Sequence, residues 1–221
     1  MTFVVPTLIS AFGAGSFLSL LSVVNPPATL PMYLALSQGM DPRARKRLAR
    51  RACLYCFYIM VVSLFAGGLV LQAFGISYGA LRVAGGIVVA ILGHSLMYDK
   101  TGSGPSSMPD TGARPVSNAG FFPLAMPGIT GPGTIAVVIG ISTEVREVGA
   151  FSHQLLAYAI TVVAMFLVCV VEWLLLRSAP RVSDRLGPAG IEVMTRLSGF
   201  LLICVGVQFV ASGVRTLITG G

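Results

Sequence analysis

The chain has 221 residues, enough for one or two ordinary soluble domains. Its composition excludes that reading. Hydrophobic residues make up 55% of it, charged residues only 10%, and the mean hydropathy is +0.85, whereas a soluble domain carries about 25% charged residues to wet its surface. The net charge of +7 is a weak sign of nucleic-acid binding here, because the basic residues lie between apolar spans, so no nucleic-acid partner is expected.

All 23 charged residues lie outside six uncharged stretches at 1–40, 52–81, 83–98, 115–143, 148–171 and 197–214. A helix needs about 20 apolar residues to cross the hydrocarbon core. The pattern predicts an all-α polytopic membrane protein with six spans, at 14–37, 52–74, 79–98, 119–142, 152–176 and 195–216. No Lys or Arg precedes the first apolar run, so residues 1–24 are expected to remain rather than be cleaved as a signal peptide.

The first stretch is too long for one straight crossing. Residues 3–37 as a single helix would measure about 52 Å, against a core of about 30 Å. Pro26, Pro27 and Pro31 explain the excess, since proline lacks an N–H and clashes with the preceding turn. The helix is expected to unwind near Val24–Pro27 and restart, with Asn25 as N-cap of the second half and Thr29 close behind it.

Arg43, Arg45, Lys46, Arg47, Arg50 and Arg51 follow. They fix topology and are suited to anionic lipid heads. Arg82 stands near the start of the third span and His94 towards its end. Arg82 is read either as a snorkelling anchor or as a residue at the mouth of a pathway. For His94, coupling or gating is weighed against a neutral, hydrogen-bonded histidine near the cytoplasmic end, and the latter is preferred. Residues 99–118, rich in Gly, Pro and Ser, read as a flexible cytoplasmic linker between two three-helix halves, 1–98 and 119–221.

The fourth span repeats the interruption of the first. Met126 to Thr134 holds three glycines and two prolines, with Thr130 at the position of Asn25. A shift of 105 residues sets Pro27 on Pro132, Thr29 on Thr134 and Ser37 on Ser142. A shift of 114 sets Arg82 on Arg196. Halves of three spans each must be inverted relative to one another. Broken helices at matching places in inverted repeats point to a solute site. The candidate binding residues are therefore Asn25, Pro26, Pro27, Thr29, Gly128, Thr130, Gly131, Gly133 and Thr134, with Arg82, His94 and Arg196 as coupling or gating candidates.

Glu172 is the one carboxylate within an apolar span. Five residues before Arg177, it is read as an interfacial group paired with a basic neighbour. Cys53, Cys56, Cys169 and Cys204 read as apolar fillers, because the Cys53–Cys56 spacing has no second Cys or His pair beside it. No metal or other cofactor is expected. The connections after the first, third and fifth spans hold six, two and three basic residues. With Arg82 and Arg196 set aside as lying near helix starts, the opposite side holds only Arg146 and Arg215, so both termini are expected outside the cytoplasm.

The chain resembles the MarC family of bacterial integral membrane proteins nearly end to end. The likeness rests on Asn25-Pro26-Pro27 with Pro31, Phe74–Ser77, Leu81–Gly86, Phe122–Pro127, Gly131–Ala136, Thr195–Leu197 with Gly199, and Gly206–Phe209. It implies an inner-membrane protein of two inverted three-helix halves, related to transporters of small neutral amino acids such as glycine and alanine. Asn-Pro-Pro-Ala stands here where many relatives read Asn-Pro-Ile-Gly, which bears on the size of the first pocket. The expected function is secondary transport of a small neutral, zwitterionic solute, with lipid and solute as partners and the oligomeric state, a homo-oligomer included, left open. The alternatives are a non-transporting scaffold or partner-binding subunit and an intramembrane enzyme. The enzyme reading finds no Ser-His pair at useful spacing and no His-Glu cluster, and none is expected.

Overall fold

A computed structural model describes residues 9–37, 39–98, 124–125, 129–148 and 151–219. The predicted linker at 99–118 lies outside them. The described residues are helical with turns and no strand. A π-helical lead-in, Ile9–Gly15, runs into α1 (Ser16–Val24), and α2 (Pro26–Leu36) follows after the single residue Asn25. Then come α3 (Pro42–Ala73), α4 (Tyr78–Tyr98) and α5 (Pro132–Glu147). The last long helical stretch is two helices, α6 (Phe151–Gly187) and α7 (Ala189–Thr219), joined at a kink where Gly187 has φ 64°.

Four of these helices are long and apolar enough to cross a membrane: α3, α4, α6 and α7. Between 22% and 39% of the most apolar window of each is buried within the chain. The outward faces carry Tyr58, Val62, Phe65, Ile91, Leu155, Phe166 and Phe200, all exposed. In water such surface would be covered; in a bilayer it meets lipid.

Several boundaries differ from the sequence expectation, each for a local reason. The second predicted span starts ten residues early, at Pro42. The Asp41 side chain accepts from the Arg43 N–H at 3.2 Å, and Pro42 fits the first helical turn. The basic stretch is thus the first turns of α3, not a loop. The segment after the fifth predicted span stays helical to Gly187, so α6 and α7 are separated by a kink rather than a connection. The fourth predicted span is helical in regular α form only from Pro132 on. Parts of 119–131 lie outside the described residues.

The Phe74–Ser77 motif now has a physical explanation. Gly75, at φ 63°, ends α3: Ile76 N–H reaches Leu71 O at 2.9 Å and Gly75 N–H reaches Gln72 O at 3.1 Å. Ser77 Oγ then accepts from the Ala80 N–H at 3.2 Å and opens α4.

Helices α4 and α7 run antiparallel along a seam of glycines spaced by seven residues. Gly79 lies opposite Gly213, Gly86 opposite Gly206, and Gly93 opposite Gly199. A Cβ on Gly86 would sit 2.6 Å from Gly206 O, and one on Gly206 would sit 2.6 Å from Gly86 O. Small residues let helix backbones touch where lipid gives no hydrophobic drive to associate. G206L should therefore destabilise the purified protein by about 1–3 kcal/mol, seen as a lower unfolding temperature in detergent. A84L, on the exposed face of α4, should leave it unchanged. Equal unfolding temperatures would contradict the seam.

Candidate functional site

Asn25 is the only non-glycine residue with positive φ among the described residues, at φ 45° and ψ 67°. Asn tolerates this left-handed conformation better than most residues. Its N–H closes α1 on Leu21 O at 3.0 Å, and its carbonyl accepts from Ala28 N–H at 2.8 Å. The side chain does not act as the N-cap of α2, as the sequence suggested; its amide points to Ser198 O on α7, at 3.4 Å. Pro26 and Pro27 cannot donate to the carbonyls four residues back, on Ser22 and Val23. These two acceptors are left without helical partners.

The second interruption is built differently. Thr130 N–H reaches back five residues to Ala125 O at 2.8 Å, and Gly131 is extended at φ −79° and ψ 176°. Helix α5 starts at Pro132, and Gly131, not Thr130, stands at its N-cap with no side-chain hydrogen bond. The first-turn N–H groups of Gly133 and Thr134 thus have no helical acceptors. Thr130 Oγ1 is buried with no partner among the described residues.

The two interruptions meet at one cavity of about 70 Å³. Thr29 lines it from the first, and Gly131, Gly133 and Thr134 line it from the second. Val89 of α4 and Leu202 of α7 complete much of its wall. This is room for several waters or a solute of a few heavy atoms. Gly133 is needed for closure, since a Cβ there would lie 2.4 Å from Val89 Cγ2.

The other predicted residues sit elsewhere. Asn25, Pro26 and Pro27 line a neighbouring groove with Val171, Leu174 and Leu201 rather than the cavity. Gly128 lies outside the described residues. His94 is exposed, with its ring 4.6 Å from that of Tyr98. Arg82, half-buried over the Tyr78 ring at 5.1 Å, lines a separate opening of about 560 Å³ with Ser16, Ser19, Glu144 and Gln208. Arg196 is exposed and pairs with Glu192 at 2.5 Å, so the two arginines have unlike surroundings.

Glu172 is not at an interface paired with a basic neighbour. It is fully buried, and Thr29 Oγ1 lies 2.5 Å from its Oε1. Arg177, the partner expected for it, lies over the Trp173 ring at 5.2 Å instead. The signal was present in helical spacing. Met165, Val168, Cys169, Leu176 and Ala179 share the face of Glu172, and all are buried. Cys53, Cys56 and Cys169 are buried as expected, with Cys56 and Cys169 sulfurs 3.9 Å apart; Cys204 is exposed.

Comparison with known proteins agrees with a membrane assignment. Residues 10–218 match the sequence profile of a family described as MarC family integral membrane protein. The chain is 38% identical over 216 residues to proteins named inner membrane protein MarC in Escherichia coli K12 and Shigella flexneri, covering 96% of this chain and 97% of each relative. No solved structure matches.

If Gly133 sets the approach of α5 to α4, G133V should lower stability by about 1–3 kcal/mol. V89A should recover much of that loss in the double variant. Additive effects of the two substitutions, measured by thermal unfolding, would show that the two side chains do not share the space.

Proposed function

Since the chain belongs to the MarC family of integral membrane proteins and is an inner-membrane protein with several apolar helices, we propose that it is a secondary transporter of small neutral, zwitterionic solutes of the size of glycine or alanine. The observation that carries this reading is the cavity shared by Thr29 and by Gly131, Gly133 and Thr134, where two helix interruptions meet. The free N–H groups at the start of α5 suit a carboxylate, because partial positive charge gathers at a helix N-terminus. The Val23 carbonyl, freed by Pro27, and the Thr29 hydroxyl suit an ammonium group.

The volume supports this substrate class. A cavity of about 70 Å³ accepts a solute of a few heavy atoms and excludes large side chains. In this reading the helix pair α1–α2 and the segment ending in α5 are the broken first and fourth spans. The chain forms two inverted halves, 1–98 and 119–221, with residues 99–118 linking them. Two features support that symmetry. Thr29 and Thr134, matched by the shift of 105 residues, both line the cavity. Helices α4 and α7, matched in the two halves, pack antiparallel against each other, as a two-fold axis in the membrane plane requires. Both termini lie outside the cytoplasm in this arrangement, and gradients rather than nucleotide hydrolysis or any catalysis drive it.

Purified protein in liposomes should exchange labelled glycine and alanine across the bilayer, and excess unlabelled glycine should compete. Tryptophan should neither move nor compete. Absence of flux for every small amino acid, with folded protein confirmed in the vesicles, would overturn the reading.

A further inference from the structure

Glu172 is the only buried Asp, Glu, Lys or Arg side chain among the described residues. Charged groups inside a membrane are costly and tend to mark ion or proton pathways. This one is tied to the site just described, because its one hydrogen-bond partner, Thr29, also lines the solute cavity. Its second oxygen, Oε2, is buried and has no partner among the described residues.

The proton inventory around Thr29 is decisive. Thr29 Oγ1 lies 2.8 Å from Pro26 O and 2.5 Å from Glu172 Oε1. A hydroxyl has one proton to give, and the Pro26 carbonyl can only accept. Both contacts are hydrogen bonds at once only when Glu172 carries a proton, donates it to Thr29 Oγ1, and Thr29 donates to Pro26. When the carboxylate is bare, Thr29 must turn its proton from Pro26 to Glu172. The protonation of Glu172 therefore sets the direction of a hydroxyl that faces the cavity, beside the Asn25 interruption.

The surroundings favour a proton over other ions. The titratable groups beside Glu172 are thiols: Cys53 of α3 and Cys169 of its own helix, with Cys56 of α3 against Cys169. From α2, Tyr33 stands near Cys53 and gives its hydroxyl to Arg45 O. The one ion pair among the described residues is Arg196–Glu192, so no described Lys or Arg pairs with Glu172. A bound metal cation needs several oxygen ligands, and among the described residues only the Thr29 hydroxyl lies within hydrogen-bond distance of the carboxylate. A proton needs only one.

We infer that Glu172 is a proton-binding site linked to the solute cavity through the Thr29 hydroxyl, so that the solute moves together with a proton. This inference rests on the transport reading and adds its coupling ion. The step is proton binding alone: the carboxylate takes a proton from water on one side of the membrane and releases it on the other. A solute that bonds to Thr29 competes for the same hydroxyl, and that competition links the two sites.

Two measurements test it. Infrared difference spectra of the reconstituted protein across a pH titration should show a carboxyl C=O band that is lost in E172Q and displaced in T29V. In liposomes, an acid-outside gradient should drive glycine accumulation by the wild type. E172Q should lose that accumulation, and its glycine exchange should no longer vary with pH. Unfolding temperature and elution profile confirm that the variants fold, and T29V provides a second probe should E172Q be unstable. The absence of a titrating carboxyl band in the wild type overturns the inference. Gradient-driven accumulation that persists in E172Q overturns the Glu172 assignment and leaves transport standing. No glycine flux by the wild type overturns the transport reading, and the coupling with it.

Discussion

A backbone group that crosses hydrocarbon has no water to bond, so every N–H and C=O must find a partner within the protein. This constraint shapes the part of the molecule around the two helix interruptions. Pro26 and Pro27 remove two donors from the first helix and leave the Ser22 and Val23 carbonyls free. The chain responds with a left-handed Asn25, whose backbone bonds in both directions and whose amide reaches α7. One turn later, Thr29 bonds to Pro26 O and to Glu172 on α6. Each local repair reaches a different helix, and together these bonds hold the first interruption against the half of the chain that carries the second.

The glycine seam between α4 and α7 provides the stiff frame around this site. Val89 and Leu92, on the cavity wall, fall between Gly86 and Gly93; Leu202 falls between Gly199 and Gly206. The residues that bring two backbones together thus alternate with those that enclose the cavity. A side chain added at the seam would push these helices apart and move the wall with them. Packing and site geometry are therefore one problem in this chain, and the small volume of the cavity depends on residues that never face it.

Much of this was legible in the chain, and the failures share a cause. Apolar stretches between charges located α4 well and found the cores of α3, α6 and α7, because hydropathy reports contact with lipid. Their ends were missed where local chemistry overrides charge: Asp41 and Pro42 start α3 ahead of six basic residues, and a single kink at Gly187 replaces an expected connection. The proline cluster located the first interruption. The choice of Asn25 as a side-chain cap was wrong, because a left-handed backbone and a tertiary partner on α7 cannot be read from local spacing. At the second interruption, Gly131 takes the cap position assigned to Thr130, since Pro132 pushes the residue before it out of the helical region into extended backbone. Glu172 was paired with a neighbour in sequence when its helical face was the better guide. The cavity itself, which needs Thr29 and Thr134 brought together, is a tertiary fact that pattern alone only hints at through the matched threonines.

The central claim is that the two interruptions form one solute site. An experimental structure of the protein saturated with glycine tests it most directly. The account predicts glycine density between Thr29 and the start of α5, with the carboxylate towards the Gly133 and Thr134 N–H groups. Bound glycine found only elsewhere, such as in the opening beside Arg82 and Glu144, with the space between Thr29 and Thr134 closed and dry, would contradict it.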